Sequence, residues 1–174
     1  LDMLFYGSAM RFPHVQGGFR EQLVIEERQA VKLPAHVGAA QAAFAEPLAV
    51  CLHAAKRAGP LLGKRVLVTG SWPIGVLTVV AARAAGAGEI VVTDVVDGPL
   101  PIALKMGATT AINVMAEPDR LKADYGADKG SFDVMFEASG NQHALTGAFD
   151  VVRPGGVIVQ IGVVGNFTLP MNVV

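Results

Sequence analysis

Between residues 65 and 161, short apolar runs alternate with longer segments of helical pattern. The runs VLV, IVV and VIVQI lack the polar–apolar alternation of a half-exposed strand. Continuous runs of this kind are typical of parallel sheets, whose strands are buried on both faces. Strands that alternate with helices form such a sheet, with helices covering both of its sides. The sequence therefore predicts an α/β fold built on a doubly wound parallel sheet.

The same pattern predicts the bounds of each element. Strands are expected at 65–69, 89–93, 110–113, 132–136 and 157–161. Helices are expected at 37–58, with a break near Pro47, and at 73–85, 98–106, 119–125 and 141–152. Pro47 suits the first turn of a helix, and Asn141 is a suitable N-cap for the last helix.

The first 36 residues have a different texture. They hold two short extended pieces, 19–25 and 30–33, and the pair Gly17-Gly18 indicates the start of the first one. The segment has too few apolar residues to build a core of its own. We therefore predict two parts, a remnant of a β-rich domain at 1–36 and the parallel-sheet domain at 37–174. Because the sequence starts with leucine rather than methionine, we expect a fragment of a longer protein.

Charge and composition argue against several classes of protein. Basic and acidic residues number 14 and 15, which leaves a net charge of -1 without a basic block. Nucleic acid and anionic membranes are therefore not expected as partners. No apolar run is long enough to span a membrane, and no secretory signal peptide is visible. The single cysteine, Cys51, allows no internal disulfide and favours a cytoplasmic location.

The string VLVTGSWPIG predicts a strand that enters a glycine turn and then a helix. N–H groups at such a helix N-terminus bind phosphate. In the dinucleotide fingerprint, the first glycine makes the turn, the second admits the pyrophosphate, and the third packs the helix against the strand. Gly70 and Gly75 occupy the first and third positions, and Trp72 occupies the second. We expect a dinucleotide site lined by Gly70, Trp72, Pro73, Ile74 and Gly75; a plain tight connection is the alternative.

Three further loops follow predicted strands on the expected ligand side. Asp94 ends the second strand about 20 residues after the glycines, where the fingerprint places an acid that accepts the ribose hydroxyls. Its charge would repel a 2′-phosphate, so NAD is the expected cofactor rather than NADP. Ligands bind outside the carboxyl ends of the strands, so we expect the nicotinamide near Ala138, Ser139, Ile161 and Gly162. The alternatives are a solvated strand end for Asp94 and ordinary turns at the later loops.

The sequence contains no self-contained metal motif. Glu46 begins a predicted helix and His53 lies two turns later, but one Glu and one His at this spacing do not form a metal site. Neither Cys-x-x-Cys nor His-Glu-x-x-His is present. Two other function classes stay open. One is a non-catalytic dinucleotide-binding module, and the other is an S-adenosylmethionine-dependent methyltransferase, which also binds its nucleotide on a glycine turn.

Seven strings resemble the medium-chain dehydrogenase/reductase family, and within it the zinc-dependent polyol branch. In chain order they are GGFREQLVI, EPLAVCLHAAKRAG, GKRVLVTGSWPIG, EIVVTDV, MGATTAINV, FDVMFEASGNQHAL and RPGGVIVQIGVVG. The resemblance implies a Rossmann domain that binds NAD and a GroES-like catalytic domain that binds zinc. It implies that residues 1–36 are a remnant of the GroES-like domain. Residues 37–174 would then be a Rossmann domain truncated at its C-terminal end.

The resemblance also implies a reaction and one metal ligand. Zinc in this family activates a secondary alcohol, which passes a hydride to nicotinamide; the implied substrate is L-idonate or a related sugar acid or polyol. Glu46 matches the family's acidic residue that faces the catalytic zinc, and the family's other ligands lie upstream of the matched region. Zinc and activity are therefore expected of a full-length, homo-oligomeric parent and not of this chain alone. Trp72 departs from the family's glycine, and an indole there would crowd the pyrophosphate unless it turned away.

Overall fold

The computed structural model describes residues 6–8, 12–163 and 165–166, and the chain divides into two compact units, Leu1–Ala42 and Ala43–Val174. The α-helices are α1 (Ala39–Ala42), α2 (Ala45–Ala58), α3 (Pro73–Ala84), α4 (Leu100–Lys105), α5 (Arg120–Tyr125) and α6 (Gln142–Gly147). The strands are β1 (Arg65–Thr69), β2 (Glu89–Asp94), β3 (Thr110–Asn113), β4 (Phe132–Glu137) and β5 (Val152–Gln160). Short 3-10 helices lie at Glu27–Gln29, Ala127–Lys129 and Ala148–Asp150. In the described ranges, each helix is too short or too polar to cross a membrane.

The described strands form one parallel sheet in the order β3-β2-β1-β4-β5. This confirms the predicted α/β fold with a parallel sheet. The chain moves outward from β1 to β3 on one side and then crosses to the other side with β4, so the strand order reverses between β1 and β4. Open sheets of this kind bind ligands at such a reversal, outside the carboxyl ends of the strands. The turn after β1 and the loop after β4 therefore flank the expected cleft.

Both faces of the sheet are apolar. Alternate residues of each strand point to opposite faces, and apolar side chains are found on both. On one face, Val66 and Val68 of β1 join a buried cluster with residues of α2, α3 and α4. On the other face, Leu67 packs with Phe132 and Met135 of β4. Burial on both sides explains why the strands read as continuous apolar runs.

Two predicted helix starts are confirmed. The side chain of Asn141 accepts a hydrogen bond from the backbone N–H of His143 at 2.8 Å and caps α6. Pro47 lies in the first turn of α2, and the break in the predicted long helix falls between Ala42 and Ala45. Local sequence therefore determined where these helices begin.

The end of the last predicted helix is wrong. The helix expected at 141–152 stops at Gly147, and β5 begins already at Val152. The backbone N–H of Phe132 donates to the carbonyl of Val151 at 3.0 Å. After Gly147 the chain tightens into the 3-10 helix Ala148–Asp150, closed by the N–H of Val151 donating to the carbonyl of Ala148 at 3.1 Å. Val152 cannot belong to a helix, because it pairs with Phe132 in the sheet.

The extended pieces expected at 19–25 and 30–33 do not pair as strands of a sheet. Among the described residues before α1, the short 3-10 helix Glu27–Gln29 is the one regular element. Phe19 and Val24 are largely exposed. A strand needs a partner to pair its N–H and C=O groups, and the described residues of this unit contain no strand that could be that partner.

Candidate cofactor site

The turn after β1 reaches the loop after β4. Gly70 has a φ of +87°, a backbone conformation that favours glycine. A Cβ at Gly70 would lie 2.9 Å from the backbone nitrogen of Ser139, so the turn and the loop touch where the strand order reverses. The backbone N–H of Ala138 also donates to the carbonyl of Thr69 at 2.9 Å. Glycine is thus required at position 70 by its conformation and by its neighbours.

Helix α3 begins directly after this turn with an N-terminus that no side chain caps. Its first turn contains Pro73 and no acidic residue. A Cβ at Gly75 would lie 1.9 Å from the carbonyl oxygen of Gly70, so α3 starts in backbone contact with the turn. N–H groups at a helix N-terminus bind anions through hydrogen bonds and through the helix dipole. This start of α3 therefore has the features of an anion site, and it contains the residues predicted here for a pyrophosphate: Gly70, Trp72, Pro73, Ile74 and Gly75.

Trp72 is the N-cap residue of α3, with a φ of -73° and a ψ of 179°. Any residue adopts this extended conformation, so the backbone does not require glycine at the second position of the fingerprint. The Trp72 residue is 67% exposed. Its indole therefore lies outside the buried part of the turn and has room to move.

We expect Trp72→Gly to change the dissociation constant for NADH by less than about threefold, because the extended backbone at 72 suits any residue and the exposed indole has room to turn away from the pyrophosphate. The sequence alone predicts a marked gain in affinity through relief of a clash. Isothermal titration calorimetry of the two proteins measures the difference. A gain of about tenfold or more would show that the indole does crowd the pyrophosphate.

Asp94 at the end of β2 binds the turn after β1. Its carboxylate is buried, with the residue 7% exposed. One oxygen accepts the backbone N–H of Ser71 at 2.6 Å and the Ser71 hydroxyl at 2.7 Å. The other oxygen accepts the N–H groups of Val95 at 2.7 Å and Val96 at 3.2 Å. Asp94 is therefore not a solvated strand end, since it ties β2 to the glycine turn.

These four donors occupy the acceptor positions that a carboxylate offers. A ribose hydroxyl would therefore have to share Asp94 with a protein donor or replace one. The Ser71 hydroxyl is the donor best suited to move, because it rotates about its own bond whereas the backbone N–H groups are held by the chain. Ser71 is 1% exposed, and no sequence motif singled it out.

The four residues predicted near the nicotinamide lie at the carboxyl ends of β4 and β5: Ala138, Ser139, Ile161 and Gly162. The backbone N–H groups of Ile161 and Gly162 donate to the carbonyl of Glu137 at 2.8 and 2.9 Å. A Cβ at Gly162 would lie 2.2 Å from the backbone nitrogen of Gly140, so the loops after the two strands are in contact. Each of the four residues is at least partly exposed and accessible to a ligand.

The described residues do not fit a zinc ion. Glu46 and His53 are both exposed on α2, and the described side chains contain no group of three His, Cys, Asp or Glu that could hold a metal. The Cys51 sulfur is buried, 3.3 Å from the carbonyl oxygens of Pro47 and Ile74. Burial raises the pKa of the Cys51 thiol, which disfavours the thiolate that zinc binds.

Two side chains at the site were missed by sequence reasoning. Ser71 fills two acceptor positions of Asp94, and Glu137 lies fully buried beneath the loops after β4 and β5. A serine next to a glycine is common, and so is an acidic residue at the end of a strand. Neither feature indicates a functional residue by itself. A buried polar side chain becomes informative only when its partners are known.

Comparison with known proteins identifies the family of this chain. The model of a family described as zinc-binding dehydrogenase matches residues 73–174. The chain is 46% identical over 165 residues to L-idonate 5-dehydrogenase (NAD(P)(+)) of Escherichia coli K12, covering 94% of this chain and 47% of that protein. The chain thus spans about half the length of the curated relatives it matches.

Solved structures extend the comparison to the fold and to a bound cofactor. The crystal structure of L-idonate 5-dehydrogenase from Escherichia coli K-12 matches with a TM-score of 0.89 and 45% identity, over 95% of this chain and 47% of that one. A protein described as a zinc-binding dehydrogenase from Sinorhizobium meliloti 1021 matches with a TM-score of 0.83 and 29% identity, over 91% and 47%. That second structure is bound to NADP, so at least one relative takes the phosphorylated cofactor.

Proposed function

This chain belongs to the zinc-binding dehydrogenase family, and from that premise we propose that it is the cofactor-binding part of an NAD-dependent dehydrogenase. The full-length parent would oxidise a secondary alcohol to a ketone, giving the 5-keto acid from L-idonate, or the corresponding ketone from a related sugar acid or polyol. In this proposal residues 37–174 are a truncated Rossmann domain, and residues 1–36 are a remnant of a GroES-like catalytic domain. The observation that carries it is the uncapped N-terminus of α3, set against the Gly70 turn beside Asp94.

Each part of the cofactor has a matching part of the site. The pyrophosphate would lie at the N-terminus of α3, where free N–H groups favour an anion. The adenosine ribose would lie near Asp94, because the first three strands form one mononucleotide-binding half of such sheets. The nicotinamide would lie by the loops after β4 and β5, in the second half. When bound, the nicotinamide accepts the hydride, and the protein's contribution is to bind and orient it.

Zinc would belong to the parent rather than to this chain. Glu46 is the one residue that we assign to its surroundings, by resemblance to the family's acidic residue. The described donors do not form a zinc site. The residues of this chain would therefore bind and orient the cofactor, while activation of the alcohol would depend on segments outside this sequence.

The first test uses the fluorescence of Trp72, which is the single tryptophan of the chain and lies at the proposed pyrophosphate site. We expect NADH to quench this fluorescence in a saturable titration, and S-adenosylmethionine to leave it unchanged. A flat titration up to millimolar NADH would overturn the proposal for this chain. Preferential binding of S-adenosylmethionine would favour the methyltransferase instead.

An assay of NADH formation distinguishes this chain from its full-length parent. With NAD and L-idonate, we expect this chain to form no NADH, whereas the full-length parent should form it. Turnover by the chain alone would contradict the assignment of zinc and activity to the parent. A parent that binds NADH without oxidising L-idonate or other polyols would indicate the non-catalytic dinucleotide-binding module.

A further inference from the structure

Glu137 at the end of β4 has an unusual environment for a carboxylate. The residue is fully buried, and its side chain accepts hydrogen bonds from five donors: the Thr69 hydroxyl, the Ser139 N–H and hydroxyl, the Gly140 N–H and the Gln160 side-chain amide. All five donors are uncharged. Burying a polar side chain is costly unless it is hydrogen-bonded. These five donors meet that requirement, so Glu137 acts as the centre of a hydrogen-bond network rather than as one half of an ion pair.

The donors come from three different strands or the loops that follow them. Thr69 ends β1, and its hydroxyl lies 3.2 Å from one carboxylate oxygen. Ser139 and Gly140 follow β4, with N–H donors at 2.8 and 3.0 Å. Gln160 ends β5 and also donates to the carbonyl of Gly162 at 2.9 Å. One side chain therefore connects the turn at the strand reversal with both loops proposed for the nicotinamide.

The loops that Glu137 joins have little room for adjustment. A Cβ at Gly162 would lie 2.2 Å from the backbone nitrogen of Gly140 and 2.9 Å from a carboxylate oxygen of Glu137. A Cβ at Gly70 would lie 2.9 Å from the backbone nitrogen of Ser139. Backbone segments packed this closely cannot change their spacing without disturbing their neighbours, and Glu137 is hydrogen-bonded to each of them.

We propose that Glu137 is a positioning residue that sets the spacing of the nicotinamide side of the cleft by holding the ends of β1, β4 and β5 together. The inference rests on the proposed function, since it assumes that these loops receive a nicotinamide. A carboxylate suits this role because it only accepts hydrogen bonds. An amide in its place would turn an N–H donor toward other donors and release at least one loop.

The test compares NADH with ADP, which carries the adenosine and both phosphates but no nicotinamide. For Glu137→Gln we expect the dissociation constant for NADH to rise about tenfold (~1.4 kcal/mol), and that for ADP to change less than about twofold. Asp124→Asn is the control, because it makes the same chemical change on an exposed carboxylate of α5. We expect this control to leave both constants unchanged.

A purely structural role would not distinguish the two ligands. Equal weakening of NADH and ADP would overturn the inference, and so would unchanged binding of both. Gln160→Met provides a milder variant if Glu137→Gln does not fold, because Gln160 is exposed and methionine keeps its length. We expect about threefold weaker NADH binding with ADP unaffected, and unchanged NADH binding would overturn the inference. If the unmodified chain binds neither NADH nor ADP, the proposed function itself fails; if it binds both, only the role of Glu137 is at stake.

Discussion

Gly75→Ala is expected to lower the free energy of unfolding by about 3 kcal/mol, because the added methyl group would overlap the backbone of Gly70. An ideal Cβ at Gly75 lies 1.9 Å from the carbonyl oxygen of Gly70 and 2.7 Å from its carbonyl carbon. Neither atom is the flexible end of a side chain, so α3 must move away from β1 to make room. Urea unfolding followed by circular dichroism measures the loss. NADH binding should fall as well, since the same movement distorts the turn.

Gly147→Ala is the matched control for this substitution. Gly147 ends α6, and a Cβ there meets nothing within 4 Å. We expect its free energy of unfolding to rise by about 0.5 kcal/mol, since alanine restricts the unfolded chain more than glycine does. If Gly75→Ala were as stable as Gly147→Ala, the close approach of α3 to the glycine turn would be refuted.

Asp94→Asn is expected to shift the cofactor preference from NADH towards NADPH on the order of 100-fold. Removing the carboxylate charge removes its repulsion of a 2′-phosphate, a Coulomb term of a few kcal/mol at short range and intermediate dielectric constant. The new amide also points N–H groups at Ser71 or at Val95, where the carboxylate now accepts hydrogen bonds. We therefore expect NADH itself to bind about tenfold more weakly.

The control is Asp97→Asn in the same loop. Asp97 is exposed and accepts one hydrogen bond from the side chain of Asn113 at 2.7 Å. Its loss should leave the ratio of NADPH to NADH affinity within about twofold of the unmodified chain. Calorimetric titration of both cofactors into the three proteins gives that ratio. An unchanged ratio in Asp94→Asn would mean that Asp94 holds the turn but does not face the 2′-position.

Local sequence was sufficient for most of the sheet. The predicted bounds of β1 and β3 are those observed, and β2 and β4 are each one residue longer than predicted. These strands are short apolar runs between clear turn signals, so burial alone selects their conformation. For β5 the pattern was insufficient at its start, because Val152 already pairs with Phe132 and residues 153–156 form an irregularity before pairing resumes at Val157.

Some residues of the candidate site were likewise predictable from local sequence, and others were not. Gly70, Gly75 and Asp94 were found from spacing, because a glycine turn followed by an acid is a pattern along the chain. Ser71 and Glu137 were not found, because their partners lie far away in sequence. Ser71 is 23 residues from Asp94, and Thr69 is 68 residues from Glu137. Hydrogen bonds at such separations follow from the order of the strands and not from any local motif.

By itself, the sequence determined the alternation of strands and helices, the glycine turn and the acid that follows the second strand. These depend on residue type and on near neighbours, which act through burial and backbone conformation. The tertiary structure decided that β4 lies beside β1, which brings the Gly70 turn against Ser139 and buries Glu137 between three strand ends. The physical reason is that parallel strands collect their carboxyl ends at one edge of the sheet. Residues distant in sequence meet there only after the strand order has been set.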